Sequence, residues 1–209
     1  MKRTVLLSAT VVGVLLLLAL YIAPGAPTQS PEPAATYVVA PTAEELAAEN
    51  AARQARAEAA KVEQEAARIA RLWKREESVD SMTGKPVVHL QNRSTHSFPL
   101  EFPNRGMHYA HIVVQKHPRY GTNAMIVVDD GQLHCQYRNC RILVRFDQAK
   151  PTSFSVSSPA DNSSDTWFIE DTTRFISQLS RAKQVIVELQ FYQQGIREIT
   201  FETTGFKRP

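Results

Sequence analysis

Across 209 residues, 24 lysines and arginines stand against 21 acids, 43% of residues are apolar, and only two are cysteine. A net charge of +3 is too small to point to a polyanionic partner, and no cluster of Lys and Arg interleaved with aromatics occurs, so nucleic-acid binding is excluded as a leading function. The averages conceal three different materials along the chain: a membrane segment, a tether and a globular domain.

Residues 1–23 read as a transmembrane anchor. Met1-Lys2-Arg3 is a positive start, and Thr4–Ala23 is an uncharged, almost wholly apolar run of 20 residues. A bilayer core of about 30 Å needs about 20 helical residues, so the run is long enough to span. Cleavable signals have apolar regions of roughly 7–15 residues and end in a small-x-small site. Ala23-Pro24-Gly25 is a poor version of that site, which leaves a signal peptide as the alternative. Lys2 and Arg3 stay on the cytoplasmic side, so the remaining chain lies in the periplasm of a bacterial inner-membrane, single-pass protein.

Residues 24–41 hold five of the 12 prolines and read as an extended linker. Residues 42–77 then predict a long alanine-rich helix. Thr42 and Glu45 form a capping-box pattern, and Ala, Glu, Arg and Lys continue to Glu77. Ala48, Ala52, Ala55, Ala59, Val62, Ala66, Ile69 and Trp73 follow a 4-3 spacing that defines a heptad seam. A solvated spacer helix with pairs such as Glu49 and Arg53 explains this stretch, and a weak homo-oligomer through the seam, or docking on a neighbouring transmembrane protein, is the competing use.

Residues 80–209 predict a periplasmic β domain. Val87–Gln91, Ala110–Gln115, Ala124–Val128 and Leu133–Tyr137 are β-like, with a hairpin turn at Asp129-Asp130-Gly131 between the last two. Arg141–Asp147 puts Ile142, Val144 and Phe146 on one face. Phe154 with Val156, Trp167 with Ile169, Val185–Phe191, and Ile199 with Phe201 continue the two-residue alternation. One helix interrupts the strands, capped by Asp171 or Thr172, with Phe175, Leu179 and Ala182 on one face. The fold class is mainly β: a compact β-sandwich or partly closed barrel with one helix.

Cys135 and Cys140 predict a disulfide across a tight hairpin, because periplasmic cysteines are oxidised. A redox pair would show C-x-x-C spacing at a helix start. The histidines lack ligand spacing: His108 and His111, three apart in one strand, point to opposite faces, and surface or turn positions account for them. The loop Ser157–Asp165 has no nucleophile elbow and no S-x-x-K pair. No cofactor is implied. Arg105 and Tyr109, in the turn Asn104–Tyr109, and Arg119 and Tyr120, in the turn His117–Gly121, supply residue types favoured at interface hot spots.

Asp80-Ser81-Met82-Thr83-Gly84-Lys85, Val144-Arg145-Phe146-Asp147 after the cysteine pair, the loop Ser157–Ser164, the Phe175-Ile176 helix and the closing Phe201–Phe206 form a set. Over residues 80–206 this set resembles small uncharacterised proteobacterial envelope proteins and, more distantly, the VasI-type accessory proteins of type VI secretion. The resemblance implies an accessory of a secretion or other envelope assembly and carries over no catalytic residue. The function expected is a membrane-tethered protein-interaction module whose partner is an envelope or inner-membrane protein. A periplasmic small-ligand binder, or a hydrolase using the 157–165 loop, is the alternative.

Overall fold

The computed structural model describes residues 40–135 and 140–209. The anchor expected at 1–23 and nearly all of the 24–41 linker lie outside the described residues. Among the described residues no helix is long and apolar enough to cross a membrane.

Helix α1 spans Ala43–Ala70 and starts as the sequence dictates. The Thr42 hydroxyl accepts from the Glu45 amide at 3.2 Å, and Glu45 Oε2 accepts from the Thr42 amide at 2.7 Å. The Glu49–Arg53 pair also forms, at 3.0 Å. None of the 28 residues is buried, so α1 is a rod of about 42 Å at 1.5 Å per residue.

The helix expected to reach Glu77 stops at Ala70, and Trp73–Val79 is strand β1. The sequence Lys-Arg-Glu-Glu is a strong helix former, but pairing overrides propensity here. All seven residues of β1 run antiparallel to β2 (Pro86–Arg93), from Trp73 opposite Asn92 to Val79 opposite Pro86. Trp73 packs on Phe206, with ring centroids 4.7 Å apart. Trp73 therefore leaves the helical seam to which its spacing assigned it.

The main body is a nine-stranded antiparallel sheet in the order β1-β2-β5-β6-β9-β8-β7-β10-β11. Its later strands are β5 (Ala110–His117), β6 (Gly121–Val128), β7 (Arg141–Phe146), β8 (Thr152–Ser157), β9 (Thr166–Ile169), β10 (Gln184–Phe191) and β11 (Gly195–Glu202). The short strands β3 (Phe98–Leu100) and β4 (Gly106–His108) form a separate hairpin inserted between β2 and β5. The sheet curves until β11 approaches the far end of β2, where the Thr95 amide donates to Thr200 O at 2.8 Å.

Alternation places Ile112, Val114, Ile126, Val144, Phe154, Val187, Leu189 and Phe201 in one core. Helix α2 (Thr172–Leu179) covers it. Asp171 caps α2, and Phe175 inserts between Phe146 and Phe154 with centroids 5.7 and 5.6 Å away.

The strand expected at Leu133–Tyr137 does not form in its described part. Only Leu133 makes a bridge, to Phe191. The turn at Asp129-Asp130-Gly131 is present, with Asp130 at φ 50°, but it does not return the chain along β6. Beside β6 lies β9, with Ile126 opposite Trp167. Among the described residues 133–135, Leu133 alone is buried.

Candidate functional site

Two turns meet at the end of the sheet opposite the α1 joint. The first, Asp80–Lys85, joins β1 to β2; the second, His117–Gly121, joins β5 to β6. Asp80 locks them together with a side chain only 4% exposed. Its Oδ2 accepts from the Thr83 amide at 3.0 Å and the Thr83 hydroxyl at 2.7 Å, closing its own turn. Its Oδ1 accepts from the Arg119 guanidinium at 2.8 Å, drawing in the other turn. The Thr83 hydroxyl and then Arg119 hold the Asp80 carboxyl below the ordinary carboxylate range, against the opposing effect of burial.

The rings continue this order outward. His117 lies against Tyr120, with centroids 4.5 Å apart, and the Arg119 guanidinium sits 5.0 Å from the Tyr120 ring centre. Tyr120 is nevertheless 65% exposed, and Met82, in the facing turn, is 75% exposed. The result is a firm polar base carrying two large apolar side chains into solvent. Nothing in the sequence flagged Asp80 as the residue that joins the turns, although its Asp-x-x-Thr spacing is that of a self-closing turn.

The four residues expected on a partner surface do not share one face. Arg119 and Tyr120 follow β5, whereas Arg105 and Tyr109 precede it, and eight strand residues separate the two pairs by about 25 Å. Arg93 sits over the Tyr109 ring at 4.2 Å, so that ring already has a partner. Arg105 lies beside exposed Phe102 and Met107 in the β3–β4 hairpin, a second and separate apolar display.

His108 and His111 correct the expectation of surface or turn histidines. The strand breaks at Tyr109, which leaves His108 in β4 and His111 in β5. Both are buried, and both converge on Asp129. His108 Nδ1 lies 2.7 Å from Asp129 O, and His111 Nε2 lies 2.9 Å from Asp129 Oδ1. His108 thereby fastens the β3–β4 hairpin, and His111 fastens β5, to the residue that follows β6. Among the described residues no group of three or more His, Cys, Asp or Glu side chains is placed to hold a metal ion.

Cys135 and Cys140 are joined in a disulfide with their Cα atoms 5.5 Å apart. The bond does not cross a hairpin of two strands, since Cys135 lies beyond the single Leu133 bridge; it ties that crossing segment to the start of β7. A disulfide indicates an oxidising, extracytoplasmic location. In the Ser157–Asp165 loop the polar groups bond one another: the Ser163 hydroxyl donates to Asp165, and the Ser163 amide donates to Asp161 Oδ1 at 3.0 Å. The Ser164 carbonyl accepts from the Leu133 amide at 2.7 Å, tying the loop to the crossing segment.

At the opposite end of β1, the joint to α1 is bolted to the domain. Asn92, 1% exposed, donates from Nδ2 to Leu72 O and to Glu202 O, each at 2.9 Å. Arg68 on the last turn of α1 clasps Glu202 at 2.6 and 2.5 Å, and this contact holds the Glu202 carboxyl below its ordinary range. Ile69 packs so closely on Gly205 that a Cβ there would fall 2.7 Å from Ile69 Cγ2. Sequence patterning missed this joint, because Asn92 and Glu202 read as ordinary outward polar residues.

No family model matches the chain, and no curated protein matches it. Among solved structures it is similar to invasion associated protein B from Bartonella henselae, at 12% identity and a TM-score of 0.41, covering 65% of this chain and 85% of that one. A likeness so faint carries no argument about function. The motif resemblance to envelope accessory proteins thus gains no family assignment.

Proposed function

We propose that this chain is a membrane-tethered periplasmic protein-interaction module, an accessory of a secretion or other envelope assembly. We infer further that the Asp80-locked tip is its contact surface. The observation that carries this reading is the pairing of a rigid polar base with exposed Met82 and Tyr120. Preorganised side chains lose little freedom on binding, and tyrosine and arginine dominate interface energetics. The disulfide supports a location outside the cytoplasm. A partly closed barrel is the finer description of the sheet that suits this reading, with the tip at one rim.

The small-ligand alternative has one feature in its favour. A groove of about 540 Å³ runs between the end of α1, β1 and the C-terminal tail, walled by Ile69, Ala70, Trp73 and Leu90. Its volume is within the range of small-molecule sites. Replacing Met82 and Tyr120 by alanine separates the two. The interaction reading expects association with the envelope partner to fall at least tenfold, by the usual cost of a hot-spot truncation, with folding unchanged. Undiminished association would refute it, and saturable ligand-induced change in Trp73 fluorescence would favour the groove.

A further inference from the structure

Strand β1 is the last strand on one side of the sheet order, and its outer edge has no strand partner among the described residues. Exposed edges normally invite pairing, and proteins discourage it with charge. Four of the seven β1 residues are charged: Lys74, Arg75, Glu76 and Glu77. Charge alone would keep the edge solitary, but here the order of the charges decides.

Trp73, Arg75, Glu77 and Val79 lie opposite Asn92, Leu90, Val88 and Pro86, so they share the concave face; Lys74, Glu76 and Ser78 lie on the other. A twofold axis perpendicular to a sheet keeps each residue on its own face, so only same-face residues meet across it. Three centres are open to such a pair. Centring on Arg75 sets that arginine opposite itself and Trp73 opposite a glutamate. Centring on Glu77 sets that glutamate opposite itself. Each of these uses only five residues of the strand. Centring on Glu76 uses all seven.

We propose that β1 pairs antiparallel with β1 of a second copy of this chain, about a twofold axis at Glu76. The concave face then matches throughout: Trp73 meets Val79 of the second copy, and Arg75 meets its Glu77, each contact occurring twice. On the other face Lys74 meets Ser78. Glu76 meets its own counterpart, with Lys74 of each chain beside it; within one chain Lys74 already lies 2.6 Å from Glu76. Val79 and Trp73, an exposed valine and a half-covered indole at opposite ends of one strand, each gain an apolar partner. The α1 seam is the poorer route to a dimer. In a parallel pair in that register, Glu44 would face Glu49 and Glu58 would face Glu63 of the other chain. The paired assembly carries two tips, one at each end of the joined strands, and the inference stands independently of what the tips bind.

The test is sedimentation equilibrium of the full chain at low salt, as wild type, Arg75→Glu, Glu77→Arg, and an equal mixture of the two variants. The wild type should dimerise. Each variant alone should associate at least tenfold more weakly, since residue 75 then faces a like charge at residue 77. The mixture should recover dimers, because each mutated residue faces an opposite charge only in the mixed pair. Arg75 and Glu77 are half-exposed surface residues, so both variants should melt as the wild type does. A wild type that is monomeric at about 100 µM, variants that still dimerise, or a mixture that stays monomeric would each overturn the proposal.

Discussion

Replacing Asn92 by alanine tests whether the α1–β1 joint is structural. Its two donated bonds link three separate stretches of chain: the α1–β1 turn, β2 and the end of β11. Each is worth about 1 kcal/mol net, and the part-buried carbonyls of Leu72 and Glu202 lose a donor that water can only partly replace, at about 0.5–1 kcal/mol apiece. Against this, Asn92 Oδ1 is buried without a partner, so its removal returns about 1 kcal/mol. The net loss is about 2–3 kcal/mol, equivalent to a fall in Tm of about 6–12 °C for a domain of this size. Thermal unfolding measures the fall, and amide exchange at Leu72–Lys74 should accelerate ahead of the core strands. A Tm within about 1 °C of wild type, with exchange unchanged, would refute the reasoning.

Asp80 gives a pH prediction with a definite sign. Its carboxyl is held below the ordinary range in the folded chain, so its contribution is fully present above the unfolded pKa of about 4 and is lost as pH falls through the lower folded value. The stability gap between wild type and Asp80→Asn, followed by denaturant titration, should be constant from neutral pH down to about pH 5 and should narrow below that. Gly205→Ala should cost about 2 kcal/mol, because Gly205 sits at φ 80° and the new Cβ would crowd Ile69. In an Ile69→Ala background the same change should cost measurably less, which a double-mutant cycle reads directly. Changing Cys135 and Cys140 together to alanine should lower stability by about 2 kcal/mol without altering partner binding, measured by chemical denaturation and pull-down.

Features carried by local chemistry were legible in the residues alone. The Thr42 cap, the Asp171 cap, the faces of β7 and β10, and the Phe175–Leu179 stripe follow from spacing and propensity, and they stand where spacing puts them. What escaped was set by tertiary partners. Residues 73–77 read as helix because Lys, Arg and Glu favour helix locally, whereas a β2 edge seven residues long recruits them, with Ser78 and Val79, as strand. The 133–137 stretch looked β-like, yet in its described part only Leu133 bridges a strand, and that strand is β10. Arg105 and Arg119 seemed one surface because sequence distance says nothing about which end of β5 each turn occupies. The locking roles of Asp80 and Asn92 were invisible for a related reason. A buried polar residue is distinguished only by the partners that the fold brings to it.

On the proposed reading, Met82 and Tyr120 at the Asp80-locked tip contact an envelope protein. Site-specific photo-crosslinking in living cells tests it most directly, with the crosslinking side chain placed in turn at Met82, Tyr120 and the exposed Lys150 on a different loop. A discrete adduct to one envelope protein from Met82 and Tyr120, absent from Lys150 and lost when Arg119 is changed to alanine, is the predicted result. No adduct from the tip, or an equal one from Lys150, would contradict it.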